Sequence, residues 1–272
     1  MKNEFWKWFG SRLFALWRYR GFVFGMVWRE FHARYLGSLL GSAWSVLHPI
    51  AMIFIYTVIF SKIMRARLPG VDDNMGFGIF LCAGLLPWSF FSELLGRCPN
   101  IFIEQANLLK KGNFPRITFP VVLFLSSTVN FVIIFTVFLL FLLVTGRYPD
   151  WSFLAFVPLL LLQQFLAMGL GIMLGALNVF FRDVGQFVGI VLQFWFWFTP
   201  IIYPVTILPQ FARELLKFNP LTQLVLSYQQ IVLFGNWPQW SLFKAHILFV
   251  ITTLLISFVV FRRLSAEIVD EL

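Results

Sequence analysis

Along the chain, long runs almost without charge alternate with short polar connections. The runs fall near residues 47–64, 77–95, 119–145, 152–178, 186–204 and 241–261. Breaker clusters separate them: RLPGVDDN after the first, KKGNFPR before the third, GRYPDW before the fourth and FFRDVGQ before the fifth. A bilayer span needs roughly 20 mostly apolar residues. Its backbone must satisfy its own hydrogen bonds, which leaves helices or closed barrels. Barrel strands alternate apolar and polar positions, and these runs do not. The pattern predicts an all-α polytopic membrane protein with six transmembrane helices over 47–261, a leading segment 1–46 and a tail 262–272.

Three connections carry structure of their own. In MKNEFWKWFGSRLFALWRYRG, Phe5, Phe9, Leu13 and Leu16 share one helical face, with Lys7, Ser11 and Arg18 opposite. That is an amphipathic interfacial helix. It is not a signal peptide, because Glu4, Lys7, Arg12 and Arg18 interrupt any apolar core. Between the second and third spans, Phe102, Ala106 and Leu109 recur at helical spacing and predict a short helix over 101–111. The stretch 205–240 is too apolar for a free loop. It reads as two short re-entrant helices before the last span, broken at Asn219-Pro220.

Composition agrees with the pattern. The chain has 272 residues, 60% hydrophobic and 12% charged, with a mean hydropathy of +0.83; soluble domains carry about 25% charged residues. With six spans, both termini share a side with the 96–118 and 179–185 connections, and that side holds fourteen of the 21 lysines and arginines. The positive-inside rule makes the termini cytoplasmic. The net charge of +9 belongs to these flanks, where it meets lipid headgroups. No basic domain stands outside the membrane segments, so nucleic acid is not a partner. Cys82 and Cys98 offer no disulfide framework or metal spacing and read as packing residues.

The chemistry of catalysis is missing from the sequence. No span has a charge near its middle; Glu93 and Lys244 lie near span ends, where snorkelling accounts for them. There is no nucleophile–base pair, no metal cluster and no G-x-x-x-x-G-K-[ST] phosphate loop. The chain is expected to be no enzyme, with no catalytic residue, metal or cofactor of its own. If it performs work, the energy arrives from another polypeptide.

What remains is the chemistry of helix faces. In the fifth span, Gln186, Gly189, Ile190, Gln193 and Trp197 share one side, and in the first, Ile53, Tyr56 and Phe60 do. Glutamines in an apolar helix serve either interhelical hydrogen bonding or a face lining a pathway. The run Phe194-Trp195-Phe196-Trp197-Phe198, with Tyr203 beyond, surrounds its helix with rings. An interfacial belt explains the tryptophans and Tyr203 but not the phenylalanines, so some rings face protein or a cavity. Flat apolar rings suit the C–H faces of sugars.

Four stretches carry a family resemblance: RYLGSLLGSAWSVLHPIAMIFIYTVIFSKI (34–63), NLLKKGNFPRITFPV (107–121), FFRDVGQFVGIVLQFWFWFTPIIYP (180–204) and FNPLTQLV (218–225). Together they resemble the permease subunit of an ABC-2 type exporter, in the branch that moves O-antigen, teichoic acid and capsule polysaccharides. The resemblance implies two copies of this chain joined to two copies of a cytoplasmic ABC ATPase, which binds the ATP and Mg. The substrate would be a lipid-linked polysaccharide, crossing the bacterial inner membrane. It implies a channel at the dimer interface lined by first and fifth spans, here Ile53, Tyr56, Phe60, Gln193, Phe194, Trp197, Phe198 and Tyr203. It implies a coupling helix on the ATPase, here Glu104, Gln105, Asn107, Leu108, Lys110 and Lys111. It also implies a gate helix near 22–41 that includes Trp28, Arg29, Arg34 and Tyr35. Two alternatives share the hydropathy pattern: an ABC-2 exporter of a drug or simple lipid, and a non-transporting polytopic scaffold or channel.

Overall fold

The computed structural model describes residues 19–33, 40–59, 75–111, 116–265 and 267–272. Among these residues there is no strand. The helices are α1 (Arg20–Ala33), α2 (Trp44–Thr57), α3 (Gly76–Arg97), α4 (Ile101–Glu104), α5 (Ala106–Lys111), α6 (Thr118–Val144), α7 (Phe156–Phe180), α8 (Asp183–Trp197), α9 (Gln210–Leu216), α10 (Thr222–Phe234), α11 (Lys244–Leu264) and α12 (Ile268–Glu271). The amphipathic segment expected within residues 1–18 lies outside the described residues.

Four stretches are long and apolar enough to cross a membrane: Gly76–Glu104, Thr118–Val144, Trp151–Phe180 and Trp240–Leu264. They match the second, third, fourth and sixth expected runs. Helices α2 and α8 stand where the first and fifth are expected, with 14 and 15 residues. At 1.5 Å per residue each reaches a little over 20 Å, short of the roughly 30 Å hydrocarbon core. The fifth helix starts three residues before the expected 186–204 and ends at Trp197 instead of 204. Phe198 leaves the helical region there, and Thr199-Pro200 follows.

Helix α3 is the centre of the molecule. It packs against α2, α6, α7, α8 and α10, and 72% of its most apolar stretch is buried, against 22% for α6 and for α11. Close approach needs small residues. A Cβ on Gly78 of α3 would lie 2.7 Å from the Cα of Thr57, so only glycine lets α2 cross α3 at that distance. Gly171 and Gly175 of α7 form a similar groove, filled by the 3-10 turn Cys98–Asn100 that follows α3. Cys98 is a packing residue there, buried against Gly171. Buried polar groups need partners. In the core, Gln163 of α7 donates to the Pro87 carbonyl of α3 (2.9 Å) and accepts from the Tyr228 hydroxyl of α10 (2.9 Å).

The helix expected over 101–111 is two helices. Gln105 leaves helical geometry (φ −103°, ψ 17°), and its carbonyl accepts the N–H groups of Leu108 and Leu109, restarting the helix as α5. Within 205–240 lie two short helices, α9 and α10, separated around Asn219-Pro220. Gly235 (φ 64°) ends α10 in the left-handed conformation that glycine tolerates. The expected tail is partly helical. Ile268 of α12 is fully buried, and α12 packs against α5 and α7.

Candidate functional site

Two regions bring the candidate residues together: the aromatic helix α8 and the junction of α1 with the coupling segment α4–α5.

The N-terminus of α8 is anchored by Asn178 of α7. Its Oδ1 accepts the Gly185 N–H (2.7 Å), while its Nδ2 donates to the Pro99 carbonyl (3.0 Å) and to Asn100 Oδ1 (3.2 Å). One asparagine thereby ties α8 to the turn that leads into α4. Asp183 in the first turn suits the positive end of the helix dipole.

The rings of α8 divide between its two sides. Trp195 meets Phe91 of α3 edge-on at 5.4 Å, and Phe196 lies 5.7 Å from Trp88 of α3. Val188, on the same side, is the buried residue of the helix. Phe187, Phe194, Trp197 and Phe198 point away, each roughly 60% exposed. The expected face of Gln186, Gly189, Ile190, Gln193 and Trp197 is exposed along its whole length. Among the described residues, neither glutamine finds a hydrogen-bond partner. A groove of about 580 Å³ runs beside this face, lined by rings of Phe187, Phe194, Trp195, Phe198 and Phe218, with Ile190, Val191 and Asn219. Among the described residues, Asn219 and the indole N–H of Trp195 are the polar groups of its lining, and no charge lines it.

Side chains cap the end of α8. Thr199 Oγ1 donates to the Trp195 carbonyl, the Tyr203 hydroxyl to the Trp197 carbonyl and Asn219 Nδ2 to the Phe198 carbonyl, each at 2.8 Å. These satisfy carbonyls that a helix terminus leaves open. Tyr203, expected on the channel, therefore uses its hydroxyl proton as a cap.

The first-span candidates are placed differently. Ile53 is 3% exposed, in the chain's own core, and half-buried Tyr56 packs beside Phe80 and Leu81. Phe60 lies outside the described residues. The open side of α2 carries Leu47, Ile50 and Phe54 instead. Helix α2 meets α3 and α6, whereas α8 meets α3 and α7.

At the other region, α1 packs on α6 through Val23, Met26 and Val27 and leaves Trp28 exposed. Arg29 is exposed, and its guanidinium lies 2.7 Å from Met26 Sδ. Arg34 and Tyr35 lie outside the described residues. Arg97, at the end of α3, pairs with Glu30 of α1 and lies 3.5 Å from Glu93 Oε1; Asn130 of α6 donates to Glu93 Oε2 at 2.9 Å. Beside this network opens a cleft of about 220 Å³, whose walls come from α1 (Met26, Glu30), Arg97, α4–α5 (Glu104, Gln105) and α6 (Phe119, Val122). Glu93 is thus a junction residue, which corrects the snorkelling assignment. The i,i+4 spacing of Glu93 and Arg97 was visible in the sequence; Glu30, 67 residues from Arg97, gave no signal.

Of the coupling candidates, Glu104, Asn107 and Lys110 are exposed, and Gln105 lines the cleft. Leu108 is half-buried and packs partly against the core. The side chain of Lys111 lies outside the described residues. Among the described residues, no three His, Cys, Asp or Glu side chains gather as metal ligands would.

The family model for the ABC-2 type transporter matches residues 22–233. The chain is 35% identical over 218 residues to the O-antigen export system permease protein RfbA of Myxococcus xanthus, covering 79% of this chain and 82% of that one. It is 31% identical over 209 residues to an O-antigen export system permease protein RfbA of Klebsiella pneumoniae, covering 76% and 78%. Identity to the polysialic acid transport protein KpsM of Escherichia coli is 24% over 235 residues, covering 86% and 90%.

Proposed function

This chain belongs to the ABC-2 type transporter family, and on that premise we propose that it is the transmembrane subunit of an ATP-driven exporter of a lipid-linked polysaccharide. Two copies, with two copies of a cytoplasmic ABC ATPase that binds ATP and Mg, move the polymer across the bacterial inner membrane. Each copy crosses six times, with α2 and α8 as first and fifth spans and both termini cytoplasmic; α9 and α10 re-enter from the outer face. The names of the relatives support the substrate class, and their coverage of more than three quarters of this chain supports carrying it over.

The observation that carries the reading is the open, uncharged, ring-lined face of α8. A sliding polymer needs many weak contacts and no deep subsite. Rings supply apolar contact area without an ionic anchor, and Gln186 and Gln193 add amides that can exchange hydrogen bonds with hydroxyls. Exposed Glu104, Asn107 and Lys110 offer a polar surface to the ATPase, and Trp28 with Arg29 lies on the gate helix above it.

Replacing Phe194 and Trp197 together by alanine tests this. Both rings are more than half exposed, so the chain should still insert and co-purify with its ATPase. Surface polysaccharide should fall severalfold; wild-type amounts would remove α8 from the path.

A further inference from the structure

We infer that Asn219 is the positioning residue of this aromatic path, setting the plane of Trp195 and the end of α8. A side-chain amide has two N–H donors and an oxygen able to accept twice. Asn219 uses all four. Its Nδ2 donates to the Phe198 carbonyl (2.8 Å) and to Thr199 Oγ1 (3.0 Å). Its Oδ1 accepts from the indole Nε1 of Trp195 (2.8 Å) and from the backbone N–H of Leu221 (3.0 Å).

The bonds permit one orientation of the amide. Trp195 Nε1 and Leu221 N are donors only, so they must face the oxygen. The Phe198 carbonyl is an acceptor only. Thr199 Oγ1 gives its proton to the Trp195 carbonyl (2.8 Å) and is left to accept from Nδ2. Aspartate would turn an oxygen toward the Phe198 carbonyl, glutamine is a methylene too long, and alanine makes none of the four bonds.

The consequence lies in the groove. Trp195 sits between Phe91 on the core side and the groove on the other, and its indole N–H is fixed only through Asn219. Phe194 and Phe198 belong to the turn that Asn219 caps. Phe218, 86% exposed, precedes Asn219 directly and lines the same groove. One side chain therefore sets the groove's floor at Trp195, its wall at Phe198 and its rim at Phe218. It also joins α8 to the first turn of α10, whose N-cap is Leu221. This deepens the polysaccharide-path reading and rests on it for the transport readout alone.

The test uses Asn219→Ala, Asn219→Asp and Trp195→Phe in the full chain with its ATPase. Surface polysaccharide is measured per assembled complex, and the protein is labelled with 5-fluorotryptophan for 19F NMR. The Trp195 resonance is assigned by its loss in Trp195→Phe. In Asn219→Ala that resonance should move, and export per complex should fall about fivefold or more, the scale of losing at least one net hydrogen bond. Asn219→Asp should not rescue export, because it keeps the acceptors and lacks the donor. Adding Trp195→Phe to Asn219→Ala should reduce export by less than it does alone, since both remove one bond. An unmoved Trp195 resonance in Asn219→Ala, or full export by Asn219→Asp, would overturn the inference. If Asn219→Ala fails to assemble, Trp195→Phe decides: reduced export per complex supports the assignment and unchanged export overturns it. A wild-type chain that exports no polysaccharide would defeat the proposed function, and the resonance would still judge Asn219.

Discussion

Adding one methyl group at Gly175 should loosen the root of the coupling segment. A Cβ there would lie 2.7 Å from the Cys98 carbonyl oxygen and 3.3 Å from Phe102 Cε2, whereas ordinary contact begins at 3.4 Å. The oxygen belongs to the backbone, so no rotamer change relieves the clash. The Cys98–Asn100 turn must retreat by most of an ångström, taking α4 and α5 with it. Overpacking of this kind costs about 1–3 kcal/mol, and alanine's better helix propensity returns about 0.8–1 kcal/mol. The net loss is about 1 kcal/mol, or about 2–4 °C in the unfolding midpoint for a chain of this size. Gly189→Ala is the control, because its Cβ meets nothing within 4 Å. Thermal unfolding of the purified complex should show a lower midpoint for Gly175→Ala and no loss for Gly189→Ala. The ratio of polysaccharide exported to ATP hydrolysed should fall in Gly175→Ala. Equal midpoints with an unchanged ratio would refute the seating of the turn on α7.

Two further perturbations address the cytoplasmic junction. Arg97→Met removes the cation that Glu30 and Glu93 share, and should destabilise the complex more than Glu30→Gln does. The double variant should cost no more than Arg97→Met alone, with a coupling of about 1 kcal/mol for this partly exposed network; strict additivity in thermal unfolding would show that α1 is not held through Arg97. Lys110→Glu, on the exposed side of α5, should preserve membrane insertion and uncouple ATP hydrolysis from export. Wild-type transport in that variant would take Lys110 off the ATPase contact surface.

Helix existence was legible because the bilayer turns hydropathy into secondary structure: Thr118–Val144 and Lys244–Leu264 lie within a few residues of the apolar runs that announced them. Facing was not legible, because an apolar side chain suits lipid and protein interior alike. Helices α3 and α6 are both uncharged for most of their length, yet one is enclosed and the other mostly open. Ile53 shares a helical face with Tyr56 in the sequence, and its burial depends on where α3 lies. Leu108 is half-buried for a related reason, since the break at Gln105 resets the face of α5.

Hydropathy and spacing alone specified an all-helical membrane chain, its breaker positions, a shared glutamine face on α8 and a ring of aromatic residues around that helix, while the exposure of the glutamine face came from the packing of α8. Tertiary structure decided which rings face α3 and which line the groove, since that depends on the partners α3 offers. It also turned Asn219 from a break signal into a hub, and Glu93 from a span-end charge into a junction. The physical reason is the same for both. Apolar patterning is local and survives in a window of twenty residues, whereas a polar group's role is set by partners that folding brings from 24 residues away for Trp195 and Asn219, and from 67 for Glu30 and Arg97.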